Sequence, residues 1–493
     1  MLNINELSTY RENNRIEAKK ALGGLPGSLW ETYSAFANTQ GGYILLGVEE
    51  LPDKTLKSIA LPNPEQLIAD FWATINNHQK VSVNILTEKH VCIEEVDGNR
   101  IVVIDIPRAN RRDKPIYLKN NPMTGAYRRN GEGDYRCTEE EVRTMMSDQA
   151  DISQDLRVLE QLSLDSFDYD TIRRYRIRLQ SSRPRHVWEN LEDVEFLHKL
   201  GCVGRGENNK LHPTAAGILM FGQEYEIVKE FSDYFLDYQE HDDETTRWTD
   251  RVISSSGEWS GNIFDFYYRV YNRIAQEVKT PFKLEGDSRI DDTSMHEALR
   301  EALANALIHA NYYGRRGIVI HRRPNFITIA NPGGMRISIE DAVLGGLSDP
   351  RNPTLIKLFN LIDIGERAGS GLPNIFAVWN SQNWPEPILE EQFDPERTIL
   401  SLALSPQNGD NVAIKNGDKG SMSVGAVKKQ VVLEYLAEHG IGKASDLSGL
   451  LAVNASRTRV YLKELVAEGK IVAEGANRNR IYRLKEQDND ADA

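Results

Sequence analysis

The chain has 493 residues, which is too long for one hydrophobic core, so its length predicts about two to four domains. Its 40% hydrophobic and 27% charged residues are ordinary for a globular protein, and no apolar run approaches the roughly 20 residues that span a bilayer. The net charge of −14 excludes a surface that is basic throughout, although local basic patches stay compatible with nucleic-acid binding.

The cysteines and the N-terminus predict the cellular compartment. Cys92, Cys137 and Cys202 lie far apart and form no Cys-x-x-Cys pair, which predicts reduced thiols. The first residues lack the basic and apolar regions of a signal peptide. We therefore expect a cytoplasmic protein with no membrane partner.

The first 150 residues contain strand patterns followed by a helix start. Tyr43–Val48 reads as a buried strand that a Gly-Gly turn begins, and Val81–Leu86 and Ile101–Ile106 are further predicted strands. Thr138 and Glu141 have the spacing of a capping box, which predicts a helix from this point.

Arginines and tyrosines are interleaved in the same domain. They are Arg111, Arg112, Tyr117, Tyr127, Arg128 and Arg129. Positive side chains bind a phosphate backbone and aromatic rings stack on bases, so the pattern favours a nucleic-acid groove. A solvated surface hairpin is the alternative explanation.

Two stretches of this domain resemble the Schlafen-type AlbA domain family. They are FANTQGGYILLGVEE after RIEAKK, and IPRANRRDKPIYLK with a later YRRNGEGDYRCTEEE. In bacterial members this domain often precedes a divergent ATP-binding module and a winged helix, and we expect that order here. Some members are labelled helicase-like, but the chain has no P-loop motif to support helicase activity.

The resemblance implies an acidic site, because Schlafen nucleases use two glutamates five residues apart and a third acid after the Gly-Gly strand. Glu12 and Glu17 have this spacing, and Glu50 or its neighbour Glu49 lies where the third acid is expected. Three such carboxylates would hold Mg²⁺ or Mn²⁺, and Lys19 would contact a phosphate. Such spacing also arises by chance among 73 acidic residues, in which case these glutamates are solvated charges.

Residues 151–290 form a predicted connecting region without chemistry of its own. Arginines surround a predicted helix over Asp170–Leu179 too evenly for one binding stripe, so some should pair with the acids of Glu189–Glu195. Phe231–Gln239 is a predicted strand, and Trp259–Lys279 a predicted amphipathic helix whose aromatic residues indicate a core or a dimer face.

The helical run from Glu297 to His309 is the most informative stretch of the chain. Glu297, Glu301, Asn305 and His309 recur every fourth residue and form one polar stripe. A neighbouring apolar stripe consists of Leu299, Leu303 and Leu307. A glutamate one turn before an asparagine can supply a general base and an Mg²⁺ ligand.

Two predicted strands and two glycine loops follow this helix. The strands are Ile318–Arg322 and Phe326–Ala330, and the turn Asn331–Gly334 comes next. A second helical run, Thr354–Leu361, precedes the loop Gly369–Gly371 at another helix start. Backbone N–H groups of such loops and helix starts suit phosphate.

This order resembles the Bergerat (GHKL) ATP-binding fold of the gyrase, Hsp90, histidine kinase and MutL group. The resemblance implies an N-box, an adenine loop and a phosphate loop, formed by Glu301 and Asn305, by Asn331, Gly333 and Gly334, and by Gly369, Ser370 and Gly371. It also implies ATP or ADP with Mg²⁺ or Mn²⁺, an Mg²⁺ ligand at Asn305, and a homo-oligomer. The usual adenine loop begins with aspartate, whereas Asn331 offers an acceptor without negative charge. Leu344–Pro353 could be a lid over the nucleotide.

The C-terminal part predicts a winged helix at 427–485, after a polar linker at 406–426. Three predicted helices precede a hairpin of Lys470–Ala473 and Arg480–Leu484. The cations that would meet DNA are Arg457, Arg459, Arg478 and Arg480. A protein-interaction module has the same pattern, and the acidic end 486–493 is predicted to be disordered.

Together these patterns predict an α+β multidomain protein with a Schlafen AlbA-type α/β domain at 1–150, a GHKL-like α/β sandwich at 291–405 and a C-terminal winged helix. The predicted function is nucleic-acid binding controlled by ATP or ADP, with metal-dependent cleavage of RNA or DNA through the N-terminal carboxylates. One alternative is an ATP-responsive transcriptional regulator without nuclease activity. Another is a scaffold whose Asn331 site stays empty.

Overall fold

The computed structural model describes residues 7, 10–150, 153–241, 248–277, 284–285, 288–289, 294–365, 369–382, 384–393, 395–404 and stretches between 429 and 485. The chain divides into two compact units, the first ending at Asp151 and the second beginning at Ile152. In these ranges, no helix is long and apolar enough to cross a membrane.

The first unit is built around a four-stranded sheet with the order β1-β2-β6-β5. Its elements are β1 (Ile16–Lys19), α1 (Leu29–Asn38), β2 (Gly42–Leu46), β3 (Val48–Glu50), β4 (Leu56–Ser58), α2 (Pro64–Ile75), β5 (Val91–Val96), β6 (Asn99–Ile106), α3 (Pro122–Gly125), β7 (Tyr127–Asn130), β8 (Gly133–Arg136) and α4 (Glu139–Gln149). β1 pairs in parallel with β2, and the other two pairs are antiparallel. The core includes the fully buried Phe36, Ile44 and Ile104.

Two of the three strands predicted in this unit are confirmed, and one prediction is wrong. Ile101–Ile106 lies within β6, while Tyr43–Val48 contributes to β2 and β3, which are separated at Gly47. Gly47 has a φ of +85°, and a Cβ atom there would lie 2.7 Å from Leu61 Cγ. Val81–Leu86 forms no strand, because within this segment only Val81 forms a β-bridge, an isolated one with Leu118.

The predicted capping box at the start of α4 is confirmed. The backbone N of Glu141 donates to Thr138 Oγ1 at 3.2 Å, and the backbone N of Thr138 donates to Glu141 Oε2 at 2.6 Å. Both groups would otherwise be unpaired donors of a helix start, so their mutual bonding fixes where α4 begins.

The second unit contains a six-stranded sheet with the order β12-β11-β15-β16-β18-β17. Before the sheet's third strand come α5 (Tyr169–Ser182), α6 (Asp193–Leu200), β9 (Val203–Arg205), β10 (Leu211–Pro213), α7 (Ala215–Phe221), α8 (Glu224–Ile227), β11 (Leu236–Glu240), β12 (Asp250–Ile253), α9 (Ile263–Glu277), β13 (Leu284–Glu285), β14 (Ser288–Arg289) and α10 (Ser294–His309). After them come β15 (Ile318–Arg323), β16 (Phe326–Pro332), α11 (Ile339–Leu344), α12 (Pro353–Asn360), α13 (Gly371–Ser381), β17 (Ile388–Phe393) and β18 (Glu396–Ala403).

The predicted boundary at residue 290 does not separate two cores. β11 and β12 belong to the same sheet as β15–β18, with β11 parallel to β15. One apolar core joins residues from Leu159 to Leu402, and it includes the aromatic face of α9 through Phe264, Phe266 and Tyr267. Of the two explanations for those aromatic residues, the core is therefore the correct one for these three.

The C-terminal stretches have a small sheet and core of their own. Antiparallel strands β19 (Gly442–Lys443), β21 (Ile481–Leu484) and β20 (Ile471–Glu474) lie in that order, so the predicted hairpin is present. Val432, Leu436, Tyr461 and Leu465 belong to the core beside it. Arg457, Arg459 and Arg478 fall outside the described residues, whereas Arg480 falls within them.

Candidate functional site

A cleft of about 950 Å³, counting its space open to solvent, lies beside α10 in the second unit. Its lining includes most of the residues that were predicted from the sequence to form a nucleotide-binding site: Glu301, Asn305, Asn331, Gly334, Gly369 and Gly371. Gly333 and Ser370 belong to the same two loops without lining the cleft. The structure therefore brings three separate sequence segments together in one place.

Helix α10 presents its polar stripe to the cleft and its apolar stripe to the core. Glu301, Asn305 and His309 line the cleft, whereas Glu297 is exposed and lies outside the lining. The leucines at 299, 303 and 307 are each 1% exposed or less. Four residues make slightly more than one helical turn, so residues that are four apart in the sequence lie on one face of the helix.

The loop after β16 places an amide at the cleft wall. Asn331 is 6% exposed, and its Nδ2 donates a long hydrogen bond of 3.4 Å to the backbone O of Pro332. Gly333 has a φ of +92°, and its backbone O accepts a hydrogen bond from Thr398 Oγ1 at 2.9 Å. Since Nδ2 is engaged with backbone, the Oδ1 of Asn331 is the atom suited to accept a ligand's hydrogen bond.

The loop before α13 has two positions at which a side chain would collide with its surroundings. Gly369 has a φ of +67°, and a Cβ atom there would strike the backbone O of Leu347. A Cβ atom at Gly371 would strike Oε1 of Glu301. The carboxylate of Glu301 therefore lies against the N-terminus of α13, where backbone N–H groups favour negative charge.

The segment between α11 and α12 closes one side of the cleft, where a lid was predicted. The backbone N of Gly346 donates to the backbone O of Gly369 at 3.3 Å. Arg336 Nη1 donates to the backbone O of Pro350 at 3.0 Å and lies 3.8 Å from Asp349 Oδ1. This segment is thus tied both to the glycine loop and to the strand side of the cleft.

Charge and apolar surface are unevenly distributed along the cleft. Burial, and then the guanidinium groups of Arg351 and Arg336, lower the pKa of His309 to about 4, although the residue keeps some accessible surface. The imidazole is therefore neutral near pH 7. The apolar part of the wall includes Ile329, Leu389 and Leu400, which would suit a flat, uncharged ring.

Sequence reasoning singled out neither Arg336 nor Thr398, and it covered Asp349 and Arg351 only as part of the predicted lid, although all four residues line this cleft. Thr398 pairs with Asn331 across β18 and β16, so its position follows from strand register rather than from any motif. The arginines lie in segments with irregular backbone, where no periodicity predicts the direction of a side chain. Among these residues, only Thr398 had a usable signal in the sequence, since it alternates with Leu400 as residues on one face of a strand do.

The first unit holds a network of charges around Glu17. Glu17 accepts a hydrogen bond from Lys19 Nζ at 2.9 Å on one oxygen and from Arg129 Nη2 at 2.9 Å on the other. Arg129 also bonds to Asp134 at 2.9 Å, and Asp134 accepts from Thr32 Oγ1 at 2.6 Å. Lys19 is therefore part of an ion pair in this network.

Glu12 and Glu50 lie close enough to Glu17 to influence one another electrostatically. Burial raises the pKa of Glu12 against the hydrogen bond from the Ala18 backbone N, and the carboxylates of Glu17 and Glu50 raise it further. Glu50 Oε1 is buried without a well-formed hydrogen bond in the described part of the chain, and Lys54 Nζ forms an ion pair with it at 3.5 Å.

These carboxylates do not form a complete metal site in this conformation. Across the residues that the structure describes, no group of three His, Cys, Asp or Glu residues is placed to hold a metal ion. Both oxygens of Glu17 are taken by Lys19 and Arg129, and Oε1 of Glu50 forms an ion pair with Lys54. No reaction step through a metal follows from this geometry.

The four arginines predicted to line a nucleic-acid groove differ in accessibility. Arg129 is 2% exposed and packs 5.0 Å from the ring centre of Phe36, so it belongs to the interior of the unit and is not placed to meet phosphate. Arg128 pairs with Glu141 at 3.0 Å. Arg111 donates to the backbone O of Asp148 at 2.6 Å. Arg112 is exposed at the surface.

Three family descriptions match parts of the chain. Residues 12–138 match "Schlafen, AlbA_2", and residues 143–237 match a domain of unknown function, DUF8451. Residues 316–399 match HATPase_c_4, described as "Putative ATP-dependent DNA helicase recG C-terminal". No curated protein matches the chain.

Two solved structures are similar to the chain. The DIP2311 protein from Corynebacterium diphtheriae is 17% identical, with coverage of 96% of this chain and 95% of that chain and a TM-score of 0.40. The N-terminal domain of a "Putative ATP-dependent DNA Helicase RecG-related Protein" from Nitrosomonas europaea is 34% identical, with coverage of 27% of this chain and 90% of that chain and a TM-score of 0.22. The chain therefore carries a Schlafen AlbA_2 domain over residues 12–138 and an ATPase-like domain of the recG C-terminal type over residues 316–399.

Proposed function

We propose that the second unit binds ATP or ADP in its cleft, and that occupancy of the cleft controls nucleic-acid binding by the protein. The observation that carries this proposal is the convergence of the polar face of α10, the loop after β16 and the start of α13 on one cleft. The ATPase-like match supports nucleotide binding, and the Schlafen AlbA_2 match supports a role with nucleic acid.

The cleft has the chemistry that an adenine nucleotide requires. Its apolar wall suits the base, and the Oδ1 of Asn331 would accept a hydrogen bond from the adenine amine. The glycine loop at the start of α13 would offer backbone N–H groups to the phosphates. Glu301 lies against the same helix start, so its carboxylate and a phosphate would repel each other unless a cation lay between them.

The residue that would hold this cation is Asn305, whose amide oxygen is a suitable ligand for Mg²⁺ or Mn²⁺. A bound ion would neutralise charge between the carboxylate and the phosphates. Glu301 would also accept a proton from an attacking water, so slow hydrolysis of ATP is part of the proposal. A Glu301→Gln variant should then bind ATP and lose turnover.

Calorimetric titration of the full chain with ATP and ADP tests nucleotide binding. We expect wild type to bind both, and Asn305→Ala to weaken ATP binding by at least about tenfold because it removes a ligand oxygen beside the phosphates. Glu297→Gln is the matched control, since Glu297 lies on the same helical stripe outside the cleft. Absence of binding by wild type, or equal binding by wild type and Asn305→Ala, would contradict the proposal.

Nucleic-acid binding by the first unit would use the cations that keep accessible surface, such as Arg111 and Arg112. Such binding should weaken steeply as salt rises, because contacts to phosphates release bound counterions. The C-terminal cations at 457, 459, 478 and 480 are the alternative contact, and they would make the protein an ATP-responsive regulator. Substituting Arg111 and Arg112 together, or Arg457 and Arg459 together, separates the two. The homo-oligomer that the Bergerat resemblance implies would be measured by light scattering.

Cleavage of RNA or DNA by the first unit is a second candidate function. It is favoured by the electrostatic proximity of Glu12, Glu17 and Glu50 and by the buried oxygen of Glu50. The test is incubation with tRNA, single-stranded DNA and duplex DNA, with Mg²⁺ or Mn²⁺ and with or without ATP. Cleavage by wild type and not by a variant with all three glutamates changed to Ala would establish a nuclease. Binding without cleavage would favour the regulator.

A further inference from the structure

Arg351 lies between the cleft and a smaller cavity behind it, and it lines both. The residue is 7% exposed. Its Nη1 donates to the backbone O of His309 at 2.9 Å, and its Nη2 donates to the backbone O of Gly334 at 3.2 Å. One guanidinium group thus joins the C-terminal end of α10 to the loop that follows Asn331.

The loop is shaped around this guanidinium group. A Cβ atom at Gly333 would collide with Nη1 of Arg351, so this position has to be glycine if the arginine keeps its place. The backbone O of His309 is one of the unpaired carbonyls at a helix end, where a positive charge is favourable. A lysine would keep the charge but lacks the planar fork that reaches two acceptors at once.

The backbone that carries Arg351 is anchored independently of the cleft. Asn352 Nδ2 donates to the backbone O of Ile308 and to that of Ala310, both at 2.8 Å. One oxygen of Asp155 accepts hydrogen bonds from the backbone N of Thr354 at 2.7 Å and of Leu355 at 3.2 Å, at the start of α12. With the backbone that follows it held in this way, Arg351 has little freedom to follow a displaced loop.

We propose that Arg351 is a positioning residue for base recognition. It fixes the distance between the Asn331–Gly334 loop and the helix that carries Glu301 and Asn305. The base and the phosphates of one nucleotide can then be bound at the same time. This inference rests on the proposed nucleotide-binding function and extends it to selectivity for the adenine amine. Arg351 itself need not touch the nucleotide.

The test compares ATP with inosine triphosphate, in which a carbonyl oxygen replaces the adenine amine. Dissociation constants for both would be measured by calorimetry for wild type, Arg351→Lys and Arg351→Met. We expect wild type to prefer ATP by about tenfold, as one hydrogen bond to a neutral acceptor allows. In both variants the ATP dissociation constant should rise by about tenfold, with a change of less than about twofold for inosine triphosphate.

Asn331→Leu should abolish the same preference, and Arg323→Lys, at an exposed arginine on β15, should leave it unchanged. Equal weakening of both nucleotides in the variants would overturn the inference, because a general loss of structure acts on both. Unchanged selectivity would overturn it as well. If wild type bound neither nucleotide, the proposed function itself would fail. Arg351→Lys keeps the charge, so it tests the inference even if Arg351→Met does not fold.

Discussion

His309 should make the stability of the second unit depend on pH in a defined window. In the unfolded chain this imidazole takes up a proton near pH 6.5, whereas in the folded unit burial and two neighbouring guanidinium groups hold its pKa at about 4. Between these values the unfolded state binds more protons than the folded state. The free energy of unfolding therefore decreases as the pH falls from about 6.5 to about 4, and this residue causes no further loss at lower pH.

The size of the effect follows from the difference between the two pKa values. A tenfold change in an equilibrium constant is worth about 1.4 kcal/mol, so a fall of the pKa from 6.5 to about 4 corresponds to about 3 kcal/mol. The accessible surface of His309 in the cleft makes this an upper value, since water stabilises the imidazolium. Above pH 7, protonation of His309 no longer affects the free energy of unfolding.

Urea unfolding followed by tryptophan fluorescence at several pH values would measure this dependence. His309→Gln carries a neutral side chain at every pH, so wild type should lose about 2 to 3 kcal/mol relative to the variant between pH 7 and pH 4. His198→Gln, at an exposed position on α6, is the control and should follow wild type. Parallel curves for wild type and His309→Gln would refute the account of charge in the cleft.

Three further substitutions test separate parts of the structure. Gly369→Ala would combine a positive φ with a collision at the neighbouring segment, so ATP binding should weaken by about tenfold or more in titrations. Thr138→Ala should lower the free energy of unfolding of the first unit by about 1 kcal/mol in denaturant titrations, because the capping hydrogen bonds of α4 are lost. Arg129→Met should cost about 3 to 5 kcal/mol in the same assay, because the part-buried carboxylates of Asp134 and Glu17 would each lose an ion pair, and only Glu17 would keep another cation, Lys19. A loss below about 1 kcal/mol for Arg129→Met would show that the ion pairs contribute little.

Local patterns in the sequence predicted the elements that carry the candidate site. Glu301 and Asn305 are four residues apart, which predicted that they share one helical face, and the structure places both in the cleft. The capping box at Thr138 was equally readable, because its partners lie within one turn. Glycine loops could be predicted as well, since a positive φ is readily adopted only by glycine.

Features that depend on distant residues could not be read from the sequence. Arg129 alternates with tyrosines in the pattern of a surface groove, but its burial depends on Glu17, 112 residues away. Val81–Leu86 has the composition of a strand without a neighbouring strand to extend its pairing. Arg351 lies in irregular backbone, and its role depends on where the loop after β16 passes α10.

The most direct test of the central claim is the affinity of the full chain for labelled nucleic acid, with and without saturating ATP, at one fixed salt concentration. Fluorescence anisotropy with single-stranded DNA, duplex DNA and tRNA would give the dissociation constants. We predict a change of at least about fivefold on addition of ATP for the preferred nucleic acid, which corresponds to about 1 kcal/mol of coupling. Asn305→Ala should need at least about tenfold more ATP to reach the same change. Identical affinities with and without ATP, in a protein shown to bind ATP, would contradict nucleotide control.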